Sequence, residues 1–170
     1  FEVGNIAYNM ANAFVLRGDL DLNALRQSFA ALVARHETLR TTFITDDEGT
    51  IYQRITPTDD FLFEPTVIAQ GTYANIDAAR SYVNDLISQP FDLEHGPLVK
   101  VSVIQISEQE HVLVYTMHHI ISDGWSMGVF VTQLLDCYDA FRRGAASPLD
   151  PLRIQYKDYA NWINQELSGE

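Results

Sequence analysis

The stretch VKVSVIQISEQEHVLVYTMHHIISDGWS, residues 99–126, decides the fold class. Two β-rich runs, 99–106 and 111–118, flank the polar Ser107-Glu108-Gln109-Glu110 and read as an antiparallel pair. A helical pattern follows at once. Met127, Phe130, Val131, Leu134, Leu135, Tyr138 and Phe141 recur at i, i+3, i+4, i+7, i+8, i+11 and i+14. Arg142 and Arg143 suit the last turn of that helix, and Gly144 ends it. A strand pair that feeds a long amphipathic helix calls for a sheet layer packed on a helix layer.

The flanking segments fit the same plan. Residues 7–17 alternate as a strand and break at Gly18-Asp19. Asp21 caps a helix carrying Leu22, Leu25, Phe29, Leu32, Val33 and His36, predicted to run to about Leu39. Residues 41–44 and 50–55 form a hairpin with Gly49 in its loop. Residues 57–74 read as irregular, 75–88 as a second helix, 89–98 as a turn-rich connector, 146–152 as a linker and 155–167 as a last helix. The expected fold is an α/β (α+β) sandwich, a mixed and mainly antiparallel sheet packed with helices.

Composition narrows the function. The 170 residues are 46% hydrophobic and 20% charged, so they can build one core, and the net charge is −12. That charge disfavours nucleic acid and anionic membranes as partners. The apolar runs around residues 112–121 and 124–135 are too short to span a bilayer, and no signal segment opens the chain, so a cytoplasmic location is expected. The single cysteine, Cys137, permits no internal disulfide and reads as a buried thiol in a helix. Phe1 lacks an initiator methionine and the chain enters ordered structure at once, so both ends read as cut from a longer polypeptide.

The junction between strand and helix carries the chemistry. His118 and His119 are neighbours on a strand, and neighbouring strand residues face opposite sides of a sheet. One should face the core, the other a cavity or solvent. That division argues against a metal held by both, and the helical i, i+4 spacing of common zinc motifs is absent. A lone accessible imidazole suits general acid–base work. Asp123 either orients His119 or pairs with an arginine to hold the loop. Gly124 permits a sharp turn and a close approach, and the helix behind it presents free N–H groups where negative charge could develop. The plainer alternative is a strand–turn–helix junction with histidines that are merely hydrogen-bonded. Trp125 and Trp162 read as core, His36 and Glu37 as packing or surface residues on a helix, and His95 and His111 as solvent-facing turn residues.

MHHIISDGWS at 117–126 resembles the H-H-x-x-x-D-G active-site motif of the condensation domains of nonribosomal peptide synthetases. Three further segments match that family in order: RHETLRTTF at 35–43, PFDLEHGPL at 90–98 and YKDYANW at 156–162. The similarity runs through essentially all 170 residues. It implies a chloramphenicol-acetyltransferase-like subdomain, one of two that enclose a tunnel. Upstream and downstream peptidyl carrier proteins would deliver substrates as thioesters on 4'-phosphopantetheine arms, with no cofactor or metal bound directly. An acceptor amine would attack the donor thioester to form a peptide bond. On this reading residues 1–170 are the N-terminal subdomain, without its first strand and without the C-terminal subdomain. The isolated fragment is then expected to be inactive, and its uncovered face would favour a dimer.

Residue by residue, the resemblance makes His119 catalytic, as general base or as a group that positions the amine. Gly124 would border the reacting thioester. His118, Asp123, Arg35 and Arg40 would be structural, with Asp123 bridged to Arg35. Within the superfamily the rivals are an epimerization domain and a coenzyme A-dependent acyltransferase. The SDGWS continuation at 122–126 resembles condensation domains more, and the type joining two L-residues. Outside that chemistry stand a metal hydrolase and a non-catalytic docking module. Docking modules tend to lose the motif histidine, which is intact here.

Overall fold

The near-continuous apolar run at 112–117 lets one sheet bury both faces. In the computed structural model, which describes residues 6–168, β1 (Asn9–Arg17), β4 (Thr66–Ile68), β5 (Val99–Gln105) and β6 (Glu110–His118) form a sheet in the order β1-β6-β5-β4. β6 runs antiparallel to both β1 and β5, while β4 joins β5 in parallel. Val99, Val101, Val103, Leu113, Tyr115 and Met117 turn to one face, where α1 (Leu22–Arg35) and α3 (Gly124–Arg142) supply Leu25, Phe29, Leu32, Phe130 and Leu134. Ile104, Val112 and Val114 turn to the other, against α2 (Ile76–Ile87). A two-stranded hairpin, β2 (Thr41–Thr45) with β3 (Ile51–Ile55), stands apart, and α4 (Tyr156–Ser168) ends the described chain. The mixed, mainly antiparallel sheet between helices is the expected sandwich.

Local chemistry sets the boundaries. Asp21 starts α1 by accepting from the amides of Asn23 and Ala24. Gly49 adopts φ +86° in the hairpin loop, beside an Asp46 carboxylate that accepts from the amides of Glu48 and Thr50. In the connector, Gly96 adopts φ +66°, and a Cβ there would lie 2.9 Å from Thr42 Cγ2, so only glycine fits.

Two expectations are corrected. First, α1 stops at Arg35 and not at Leu39; Glu37–Arg40 is a separate 3-10 turn. The groups that would continue the helix are taken by side chains. The Gln155 amide donates to the Arg35 carbonyl at 2.9 Å and accepts from the Glu37 amide at 3.3 Å, and Arg40 Nε donates to the Val33 carbonyl. Second, residues 57–74 are not wholly irregular, because Thr66–Ile68 pairs with Ser102–Ile104. Three residues beside prolines give too short an alternation to read.

Arg40 is 9% exposed and ties this corner together, with Nη1 donating to the Thr56 carbonyl at 2.6 Å and Nη2 lying 3.9 Å from Glu37. Arg40→Met keeps the aliphatic stem but strands the buried Val33 carbonyl and the part-buried Thr56 carbonyl. It should lower unfolding free energy by about 2–3 kcal/mol in denaturant titrations.

Candidate active site

At the end of β6, adjacent side chains part company. His118 shares the face of Val112, Val114 and Thr116, the face packed by α2. It is 9% exposed, with its ring between Tyr8 and the edge of Phe91, and its Nδ1 accepts from the Ile120 amide at 3.1 Å. Its side chain thus closes the turn that follows. His119 is exposed and lines a cleft on the opposite face of the sheet, with Met117, Leu39 and Phe130 behind it. The one-in, one-out division expected from strand alternation is present.

The cleft has a volume of about 500 Å³, within the range of small-ligand sites. Its walls are the 3-10 turn after α1, the turn that follows β6, the first turns of α3, and residues 152–156 at the start of α4. Beside His119 the titratable lining groups are His36 and Asp123, with Tyr156 at the edge. His36 Nε2 bonds Gln133 Oε1 at 2.7 Å, which ties the end of α1 to α3. Asp123 is the N-cap of α3: one carboxylate oxygen accepts from the Ser126 amide at 2.7 Å and from its hydroxyl at 2.6 Å. Those bonds, with His119 nearby, hold the Asp123 carboxyl below its ordinary 3.8. The arrangement offers one accessible imidazole, a fixed carboxylate and the amino end of a long helix, and so suits proton transfer beside a centre gaining negative charge.

The expected bridge from Asp123 to Arg35 is not formed. Asp123 is committed to Ser126. No ion pair joins Arg35 to Asp123; the Arg35 charge acts on its neighbour His36 and on Cys137. Arg35 has a buried Nε without a partner, while its carbonyl receives Gln155. Gly124 opens α3 without a positive φ, and no neighbour lies within 4 Å of a Cβ built on it, so its backbone needs neither the turn nor the close protein contact expected of it.

Other residues also move from their expected places. Trp125 is 83% exposed at the cleft, because it lies about 200° around α3 from buried Met127. Trp162 is half-exposed, its ring tilted against Tyr159 on α4. His111 lies within β6 and is 4% exposed, its Nδ1 without a partner. His36, Ser122, Ile154 and Gln155 line the cleft beyond the residues expected there. Of these, His36 lies next to Arg35 in one matched motif and Ser122 opens the SDGWS of another; Ile154 and Gln155 carry no signal in the sequence. Cys137 is a buried free thiol as expected, and His95 is exposed beside Asp92. Among the described residues no three His, Cys, Asp or Glu side chains are grouped to hold a metal ion, and no helix is long and apolar enough to cross a membrane.

Burial pushes His36, His111 and His118 below the ordinary 6.5. The unfolded chain then binds more protons than the folded one as pH falls through 6.5, so their contribution to stability is complete above that value and is lost below it. Denaturant midpoints should therefore fall between pH 7.5 and pH 5.5, a window above the carboxylate titrations. His118→Phe should reduce the slope.

The family model described as Condensation domain matches residues 1–170. The chain is 41% identical over 167 residues to one of the subunits of the linear gramicidin synthase of Brevibacillus parabrevis, covering 98% of this chain and 2% of that protein. It is 40% identical over 171 residues to malpinin synthetase of Mortierella alpina, covering 99% and 2%. Among solved structures, the complex of the X-domain and OxyB from teicoplanin biosynthesis superposes with a TM-score of 0.83 at 35% identity, covering 95% of this chain and 34% of that one. The first condensation domain of the CDA synthetase gives 0.75 at 25% identity, covering 85% and 37%. The chain thus spans about a third of the matched structures and a few per cent of the synthetases.

Proposed function

This chain belongs to the condensation-domain family, and from that premise we propose that it is the N-terminal lobe of a condensation domain in a nonribosomal peptide synthetase. The family forms peptide bonds between substrates held on carrier proteins. Here the acceptor's amine nitrogen attacks the thioester carbonyl carbon of the donor, the C–N bond forms, and the C–S bond breaks. The donor's pantetheine sulfur leaves and is protonated; the proton lost by the amine passes through His119. A second lobe completes the tunnel, and upstream and downstream carriers bring their phosphopantetheine arms to it in the cytoplasm. His118, Asp123 and Arg40 hold the turn, the helix start and the corner beside it, and Arg35 supports the α1–α4 contact. Gly124 leaves open space at the helix start, where the thioester can lie.

The observation that carries this reading is the single exposed imidazole of His119 in the cleft, on the motif position of the family's active-site histidine. The test uses the full-length polypeptide with both carriers loaded, and mass spectrometry of the downstream carrier. A dipeptidyl thioester is the expected product. Exchange of an α-proton for solvent deuterium without any dipeptide would make the protein an epimerase instead. A docking role is the second reading, favoured by the likeness to an X-domain in complex with OxyB. Loaded carriers that yield no product, together with capture of a tailoring enzyme that persists in His119→Ala, would establish it.

A further inference from the structure

Residues four apart on a helix share one face, so a groove along a helix is lined by every fourth residue. On α3, Trp125 and Val129 are four apart, and both are exposed and line the cleft. The next residue of that row, Gln133, bonds His36, another lining residue, at 2.7 Å. From Trp125 to Gln133 is about 12 Å along the helix axis. The cleft is therefore a groove that starts at His119 and the amino end of α3. It passes Val129 on one side and the exposed Leu152 and Ile154 on the other, and ends at the His36–Gln133 bond.

Beyond His119 the polar groups of this groove are already engaged. The Gln155 amide serves the Arg35 carbonyl and the Glu37 amide, and His36 Nε2 is held by Gln133. Among the described residues no lysine, arginine or glutamate lines the groove, and its one carboxylate, Asp123, sits at the helix start, bonded to Ser126. The hydroxyls of Thr38 and Tyr156 carry no charge. A charged side chain laid along this wall would lose water and meet no counter-ion. An aliphatic or aromatic one would bury its surface against Val129, Leu152 and Ile154. The acceptor's amine nitrogen and its side chain are bonded to the same carbon. An amine held at His119 therefore places its side chain at the head of the groove.

We propose that this groove is the side-chain pocket for the acceptor amino acid, that it takes an uncharged, apolar side chain, and that Val129 sets its size. The inference rests on the reading of His119 as the group that faces the acceptor amine.

The experiment compares wild type, Val129→Phe and Val129→Ala in the full-length polypeptide. It measures affinity for unreactive aminoacyl-pantetheine thioethers bearing alanine, leucine, phenylalanine, aspartate or lysine side chains. It then measures kcat/KM with acceptor carriers loaded with the same five amino acids, and the melting temperature. Wild type should bind the leucine thioether about 10–100-fold more tightly than the aspartate or lysine one. Val129→Phe should lower the leucine-to-alanine ratio about five- to tenfold, and Val129→Ala should raise the phenylalanine-to-leucine ratio by a similar factor. Opposite shifts in size preference cannot come from a loss of folding. A wild type that binds the charged thioethers as tightly as the leucine one overturns the proposal. So do ratios unchanged in both variants, and a wild type that binds none of the five. A wild type that shows the preference in binding and makes no dipeptide overturns the condensation reading alone, and the affinity ratios still decide the pocket.

Discussion

His119→Ala is expected to reduce dipeptide formation by about 10²–10⁴-fold while leaving the protein folded. The magnitude is that of a general acid–base group removed from a reaction that must move a proton. The specificity comes from geometry. His119 is exposed in the cleft, and the backbone bond from its amide to the Tyr8 carbonyl survives the substitution. Its neighbour provides the contrast. His118→Ala removes a buried ring and strands the Ile120 amide, so it should lower the melting temperature and reduce activity only through the turn. Single-turnover rates with pre-loaded carriers, alongside thermal denaturation, separate the two. Retention of more than a tenth of wild-type rate by His119→Ala would remove it from the chemistry.

The largest loss of stability is expected from Phe29→Ala. Phe29 is 1% exposed on α1, and its ring meets Phe63 and Phe130 at centroid distances of 6.1 Å. Phe130 in turn packs on Tyr115 of the sheet at 5.4 Å. Truncation opens a cavity between α1, α3 and the sheet, and neighbours anchored on three elements cannot collapse into it. A cost of about 3–5 kcal/mol follows, a large share of the roughly 5–15 kcal/mol that keeps a domain folded. Urea titration should show a lower midpoint with an unchanged slope. A loss below about 1 kcal/mol would mean that the core repacks.

Much of this architecture is legible because its residues obey a single period. Val99 to Met117 alternate, and their strands can be read; Met127 to Leu134 keep helical spacing, and so does α3. The same spacing excludes Trp125 from the buried stripe, although its residue type argues for the core. The polarity of His111 suggests a turn, but its parity with Leu113 and Tyr115 puts it inside. Other features depend on partners remote in sequence. The end of α1 is decided by a glutamine 120 residues away, and β4 by Ser102–Ile104. For the site, His119 and the division of the two histidines are readable from alternation. The role of His36 is not, since a cleft wall is assembled from four separate segments. The Asp123–Arg35 bridge fails for a local reason: a carboxylate one residue before a helix finds the backbone amide first.

The Gln155 amide that ends α1 also limits how this chain can be recombined with its relatives. It satisfies the Arg35 carbonyl and the Glu37 amide, while Lys157 reaches Glu37 Oε1 at 2.8 Å. A chimera joined between α3 and α4 would bring residues 35–37 from one parent and 155–157 from another. Wherever the second parent lacks a matching amide, two backbone groups lose their partners and one wall of the cleft is released. Crossovers outside the interval from Arg35 to Lys157 should keep these contacts within one parent.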